Sequence, residues 1–479
     1  MSNVIIAGGS VVGLGAAIAL ADRGHRVEIL ERLPDPAPSS IDEAAAWQRP
    51  TVPQAVHSHA FASLGCNLLL RRAPDVYEAL LAAGATEINL ADYPPPTLRR
   101  FSRQPADAEL RMILTRRSTF ELVLRWRALA RPGVSLTADA TVRGLLTSAD
   151  DATLVTGVRL AGGATRPADL VIDATGRRSA AASWLSGAGL PVPVERGENC
   201  RIVYYTRYYR MLTPAPPGPL NRGFGAGGLW DSYTAVLFRG DNGTFSISIG
   251  VLPEDTELKA VRHQSAFEAV IRATPLLAGW IAPGNSEPIS SVYAMGSLDN
   301  SLRLPAAGQP LVKGFFPLGD AVCTTNPAYG RGVSLGLAHA YLLADLVQEH
   351  PAVDGRQAAE FVARTAALLT PWWEEAVAND RGRAALWEAT LAGRPPQRPP
   401  AGVVTFGTAV AASTQDEVVW RRIASEMMML VPPAALYADQ EIAGRVGRVL
   451  AAGPPPQLPG ATRADLRNAV AGAAAAQLS

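Results

Sequence analysis

With 479 residues the chain is too long for one hydrophobic core, because single cores stop growing near ~250–300 residues, and its 48% apolar and 18% charged residues exclude a disordered chain. A formal net charge of +1, with the arginines scattered, excludes a global attraction to nucleic acid or to an acidic membrane. Only two of the 44 basic residues are lysines, Lys259 and Lys313, and the three cysteines, Cys66, Cys200 and Cys323, form neither a CxxC pair nor a disulfide framework, which fits a reducing cytoplasm.

The apolar run at residues 4–21 lacks a basic segment before it and is broken by Gly8-Gly9-Ser10. It reads as a buried parallel strand (4–7), a glycine turn and a helix (11–23) closed by Gly24, with no export signal and no membrane span. A second strand follows at 26–31, completing a unit of βαβ size. Residues 33–60 are rich in Pro, Ser and Ala and read as loop. Helical patterns follow at 64–85 and at 119–130, the second with Ser118 as its N-cap. Residues 135–172 hold several short strands, the last buried and ending at Asp173.

Between about 195 and 300 the pattern changes to longer alternating strands. In 201–209, Val203, Tyr205, Arg207 and Tyr209 share one face and Ile202, Tyr204, Thr206 and Tyr208 the other. Strands at 233–239 and 244–251 flank Gly240-Asp241-Asn242-Gly243, a hairpin signal. A helix follows at 265–281. Residues 310–348 return to strand, Gly319-Asp320, loop and helix from Gly332, so that the first unit is completed late in the chain. Residues 355–450 are mainly helical, Pro371-Trp372-Trp373 anchoring one helix on the core. The expected fold is α/β: a Rossmann-like nucleotide-binding unit over 1–190 completed at 301–350, an inserted β-sheet substrate unit at 195–300, and a helical region at 351–479.

Three motifs carry the chemistry. Gly8-Gly9-Ser10-Val11-Val12-Gly13 fits G-x-G-x-x-G with serine for the second glycine, a turn that brings backbone N–H groups and a helix N-terminus against a pyrophosphate. Glu31 ends the second strand 23 positions after Gly8, where an acid accepts from an adenosine ribose. The second motif is Asp173-Ala174-Thr175-Gly176-Arg177-Arg178-Ser179. In the third, Gly319-Asp320-Ala321 precedes Pro327 and Gly330-Arg331-Gly332-Val333-Ser334. There Asp320 can accept from flavin ribityl hydroxyls, and the N–H groups of the helix start can hold the flavin edge where charge develops on reduction.

With these three motifs in this order, the chain resembles the FAD-dependent group A flavoprotein monooxygenases, of the para-hydroxybenzoate hydroxylase and aromatic polyketide hydroxylase type, over about residues 3–35, 105–180 and 310–350. The resemblance implies FAD held by Gly8, Gly9, Ser10, Val12, Gly13, Glu31, Arg32, Arg117, Asp173, Gly319, Asp320, Pro327, Gly330, Gly332, Val333 and Ser334. It implies an enzyme that hydroxylates or epoxidises an apolar or aromatic small molecule, such as a secondary metabolite, with O2 through a flavin C4a-hydroperoxide. The chain departs from the family at three points. Val322-Cys323 stands where a histidine is usual, Arg331 where a glutamine is usual, and Asp-Ala-Thr-Gly replaces the Asp-Gly signature. The electron donor is therefore open between NADPH or NADH acting directly and a separate flavin reductase.

Val52-Pro53-Gln54-Ala55-Val56-His57-Ser58-His59 is similar to a subgroup that includes polyether-type epoxidases. His57 and His59 are candidate acid–base groups, and with no third ligand nearby no metal is expected. Arg207 is a further catalytic candidate, and Tyr205, Tyr209, Phe224 and Trp230 are candidates for the substrate pocket. A flavin dehydrogenase or oxidase is the alternative reading. A halogenase, which needs a lysine between flavin and substrate, and a scaffold that has lost flavin complete the set.

Overall fold

The computed structural model describes residues 1–34, 37–98, 100–395, 403–453 and 456–475. The molecule is a mixed α/β structure built around a five-stranded parallel sheet. In spatial order its strands are Phe315–Pro317, Leu170–Asp173, Asn3–Ala7, Arg26–Leu30 and Val134–Thr137. The central strands are buried on both faces, which is why they read as near-continuous apolar runs. The helices Val11–Ala21, Arg117–Leu129 and Gly332–Glu349 pack together on one face around Leu14, Ile18, Phe120, Leu124, Leu337 and Tyr341.

The second sheet is antiparallel, in the order Gly225–Leu229, Thr234–Arg239, Thr244–Val251, Val203–Met211, Ser286–Pro288, with Tyr293–Met295 also pairing Val203–Met211. Its back face buries Tyr205, Tyr209, Phe245, Ile247 and Ile249 against the helix Gln264–Ala273 and Trp280. The helix Arg463–Ala475 closes that core with Leu466. The two connections between the sheets, Val194–Asn199 and Asp299–Leu304, pair with each other, and Cys323–Thr324 joins their edge. The 37-residue helix Gly355–Leu391 spans both units, with Trp372 and Trp373 buried in a core shared with Met112, Leu335 and Trp420.

Two local expectations are corrected. The helical stretch 64–85 is two helices, Ser63–Arg72 and Pro74–Ala82, because Pro74 has no N–H and its ring bars the continuing turn. The next helix starts at Arg117, not after Ser118, because its cap comes from elsewhere in the chain. The buried Asp241 carboxylate, in the hairpin turn of the other sheet, accepts from the Arg116 N–H (3.0 Å) and the Thr119 hydroxyl (2.5 Å). It also forms a two-point ion pair with the Arg116 guanidinium (2.6 and 2.9 Å).

The turn after the first strand is set by two close approaches. Gly8 has φ +109°, and a Cβ there would lie 2.5 Å from the Ala174 carbonyl oxygen; a Cβ on Gly13 would lie 1.9 Å from the carbonyl oxygen of Gly8. Gly13→Ala is therefore expected to lower stability by about 3 kcal/mol through overpacking. The midpoint of urea unfolding measures it, and an unchanged midpoint would contradict the close approach.

Candidate functional site

Two cavities meet at this turn. One runs from Gly8, Gly9 and Glu31 past Arg32 and Arg49 to Ala140–Arg143 and Trp184. The other runs from Ser10–Val12 to Asp320, Pro327, Gly330–Val333 and the stretches 51–54 and 57–60. Ser10, Thr51, Val52, Ala174, Thr175 and Arg178 line both, so they form one extended cleft.

Ser10 explains why the second glycine of the motif is dispensable. Its hydroxyl makes no cap bond to the helix backbone. It donates instead to Glu121 (2.9 Å) and accepts from Arg117 (3.0 Å). The N–H groups of the first helical turn stay free at the cleft wall, where they and the helix dipole favour an anion. Glu121, 2% exposed, also pairs with Arg117 (3.1 Å) and with Arg49 (3.0 Å). Arg49 reaches Glu31 as well (3.3 Å), and Glu31 accepts from the Gly9 N–H (3.3 Å). Two arginines and two carboxylates are thus buried together, so the cluster is neutral overall. Arg49 nevertheless keeps Nε and Nη1 without a partner, although its side chain is 3% exposed. A buried unpaired guanidinium edge calls for an anionic acceptor.

At the other end, Asp320 lines the cleft. Burial raises its carboxyl above the usual range, although Arg117, Arg177 and Arg303 pull the other way. The loop 326–332 beside it is clamped to the C-terminal helices. Asn326 donates to Asp380 (2.6 Å) and Tyr329 donates to the same carboxylate (3.0 Å). Arg331 pairs with Glu375 and with Glu426 (3.1 Å) and lies over the ring of Trp372. Burial and the neighbouring Glu375 push the Glu426 carboxyl up. Arg331 is therefore the strut between this loop and the helical region.

The expected site residues separate into two groups. Gly8, Gly9, Ser10, Val12, Glu31, Arg32, Arg117, Asp320, Pro327, Gly330, Gly332, Val333, His57 and His59 come together along the cleft, with Gly13 packed behind the turn. The others do not. Asp173 is fully buried and spends its carboxylate on Thr175 and Ser179, stapling its own turn. Gly319 donates its N–H to His339 (3.2 Å), and Ser334 turns its hydroxyl to the Ala62 carbonyl.

Arg207, Tyr205 and Tyr209 lie on the back face of the antiparallel sheet, where Arg207 pairs with Glu268 (2.5 Å) and stacks on Tyr209. Phe224 stacks on Phe238 in the core under the C-terminal helices. Trp230 stacks on Tyr233 and donates to the Leu458 carbonyl. The pocket expectation is thus not met by this strand: no residue of 203–211 lines the cleft, and it is the opposite face, with Tyr204, Thr206 and Tyr208, that reaches the cleft-lining Asn326 and His57 by hydrogen bonds. The register shows it, since Tyr205, Arg207 and Tyr209 oppose Ile249, Ile247 and Phe245, while Thr206 and Tyr208 oppose Ser248 and Ser246.

Sequence reading also missed Arg49, Glu121 and the serine pair. The alternation of hydroxyl and apolar residues in Thr244–Val251 was the available signal for the serines. Glu121 sits one helical turn after Arg117, whereas nothing local marks Arg49.

His57 lines the cleft with its Nδ1 3.0 Å from the Thr206 hydroxyl, and Tyr208 donates to its carbonyl (2.7 Å). His59 donates from Nδ1 to the same carbonyl (2.9 Å). Burial, reinforced by Arg177, pushes the His57 imidazole down to about 4; burial and Arg117 push His59 to about 3, and burial alone brings His339 to about 3. All three are neutral in the native protein at pH 7, while in the unfolded chain they take up protons as pH falls below about 6.5. Each is expected to remove about 1.4 kcal/mol of stability per pH unit below pH ~6.5, until the native group itself titrates. Urea unfolding at pH 7, 6 and 5 measures this slope, and His57→Gln is expected to flatten it by one group's share.

No family model matches the chain. Protein Rv3254 of Mycobacterium tuberculosis is 26% identical over 454 residues, covering 87% of each chain. Among solved structures, the FAD-dependent monooxygenase PqsL of Pseudomonas aeruginosa superposes with a TM-score of 0.56 at 14% identity, over 82% of this chain and 99% of that one. The myxobacterial chondrochloren halogenase CndH superposes with a TM-score of 0.56 at 16% identity, over 97% and 99%. The chain thus carries the FAD-binding fold that flavin-dependent monooxygenases and halogenases share.

Proposed function

We propose that the chain is an FAD-dependent monooxygenase that hydroxylates or epoxidises an apolar or aromatic small molecule with O2. Electrons would come from NADPH or NADH, directly or through a flavin reductase. The observation that carries this reading is the single cleft with an acid and an unpaired guanidinium edge at one end, free helix N–H groups in the middle and Asp320 at the other end. That order of acceptor, anion site and acceptor fits ribose, pyrophosphate and ribityl chain in turn.

In this reading Glu31 and Arg32 hold the adenosine. Ser10, Gly13, Arg117 and Arg49 surround the pyrophosphate, Asp320 accepts from the ribityl hydroxyls, and Pro327 with 330–333 lies along the ring. When bound, FAD supplies the oxygen activation. The chain's own task is to orient the substrate, exclude water and handle protons at His57 and His59. The lysines support oxygen transfer over halogenation: Lys313 pairs with Asp151 and Lys259 donates to the Pro253 carbonyl (2.7 Å), both away from the cleft.

FAD-loaded protein, reduced without oxygen and then mixed with O2 and a panel of aromatic and alkene compounds, is expected to yield a product carrying one added oxygen atom. Bleaching of the oxidised flavin by substrate alone would instead identify a dehydrogenase. Glu121→Gln, which weakens the hold on Arg49, Arg117 and Ser10, is expected to weaken FAD binding about tenfold, or about 1.4 kcal/mol. Titration of apoprotein with FAD measures it, and an unchanged affinity would remove Glu121 from the phosphate site.

A further inference from the structure

On the cleft side of the antiparallel sheet, four hydroxyls and one imidazole form an unbroken chain. His57 Nδ1 meets Thr206 Oγ1 at 3.0 Å, Thr206 meets Ser248 at 2.6 Å, Ser248 meets Ser58 at 2.9 Å, and Ser58 meets Ser246 at 2.7 Å. We propose that His57 is a two-sided proton relay for the cleft, and that Thr206, Ser248 and Ser58 are the wire that recharges it. The proposal rests on the reading of the cleft as an oxygenase chamber and deepens it.

Four contacts are shared by four hydroxyl protons and the one proton of a neutral imidazole. Two arrangements run through every contact in one direction from end to end. In the first, His57 carries its proton on Nδ1, donates to Thr206, and the direction continues through Ser248 and Ser58 to Ser246. Nε2, which has no hydrogen-bond partner among the described residues, then offers a lone pair to the cleft that His57 lines. In the second, every hydroxyl has turned, Thr206 donates to Nδ1, and Nε2 carries the proton toward the cleft.

Passage between the two is balanced. A proton taken up at Nε2 sends the Nδ1 proton to Thr206, the Thr206 proton to Ser248 and the Ser248 proton to Ser58. Ser58, half-buried where it lines the same cleft, then releases to water there the proton it had held toward Ser246, and Ser246 turns to donate back to it. Run backwards, the same chain delivers a proton to the cleft. The ring never needs to hold two protons, which matters because burial and the nearby Arg177 make imidazolium costly there. The backbone fixes the device: Thr206 and Ser248 are cross-strand partners, and Tyr208 and His59 both donate to the His57 carbonyl and hold the ring in place.

The test uses Thr206→Val, which cuts the wire without changing its shape, and Thr206→Ser, which restores the hydroxyl. In protein with 15N-labelled histidine at pH 7, the His57 signals, identified by their loss in His57→Asn, are expected to show neutral imidazole averaged between the two tautomers in wild type and Thr206→Ser, and one tautomer in Thr206→Val. With FAD-loaded protein, the second readout is reoxidation by O2, in which reduced FAD (as FADH−), O2 and one proton give oxidised FAD and H2O2. It is expected to slow about tenfold or more in Thr206→Val, with its solvent isotope effect altered, and to be restored in Thr206→Ser.

An unchanged tautomer ratio in Thr206→Val, or a His57 that is imidazolium at pH 7, would overturn the relay. So would reoxidation unaffected by Thr206→Val in protein that binds FAD. If the protein takes up no FAD, the oxygenase reading fails, and the tautomer measurement alone decides the relay.

Discussion

The first turn of the helix Arg117–Leu129 is held from both sides by buried carboxylates, and the cleft depends on that grip. Asp241 enters from the hairpin of the antiparallel sheet and fixes the helix start through Arg116 and Thr119. Four residues into the helix, Glu121 gathers Arg117, Arg49 and Ser10. A buried carboxylate without partners would be very costly. Each of these two has a guanidinium partner from a distant part of the chain, Arg116 for Asp241 and Arg49 for Glu121, so satisfying either charge requires both parts to be in place. The same contacts therefore tie the hairpin of the antiparallel sheet and the segment around Arg49 to this helix and, through Ser10, to the turn after the first strand.

The antiparallel sheet divides its labour by face. One face is apolar and takes the helix Gln264–Ala273 and Trp280. The other carries hydroxyls that are satisfied among themselves and by His57. This is costlier to build than a second apolar face, since each buried hydroxyl needs a partner. The result is a layer of small polar groups behind the cleft-lining segment 57–59 that holds it in a defined position.

Much of this was legible in the sequence. Runs of apolar residues ending in glycine located the parallel strands, because strands covered on both faces have no alternation to obscure them. That the turn 8–13, Glu31 and Asp320 share one cleft was readable because each follows the end of a strand of the parallel sheet. What failed was the face of 201–209: tyrosines on both faces make the strand ambiguous on its own, and only its pairing with Thr244–Val251 resolves it. Arg207 looked catalytic for the same reason and serves as a clasp to Glu268. Arg49 was out of reach, because its role is defined entirely by Glu31 and Glu121, which lie 18 positions before it and 72 after it. Ser10 was readable as a departure but not as a gain, since its partners are on another helix.

The clamp on the loop 326–332 bears on the order in which the molecule can be assembled. The loop emerges during synthesis before Glu375, Asp380 and Glu426, the carboxylates that hold it. Until those helices arrive, Arg331 lacks its carboxylates and Asn326 has only Tyr204 and Asn300, so this end of the cleft is held on one side alone. The other end of the cleft takes its strand, turn and Glu121 cluster from the first 125 or so residues, its further wall from 140–143 and 174–184 and its helix clasp from Asp241, all of which precede the clamp. A nascent chain therefore has every part of that end before it has the carboxylates of the clamp, and the loop 326–332 is secured only when the C-terminal helices have docked.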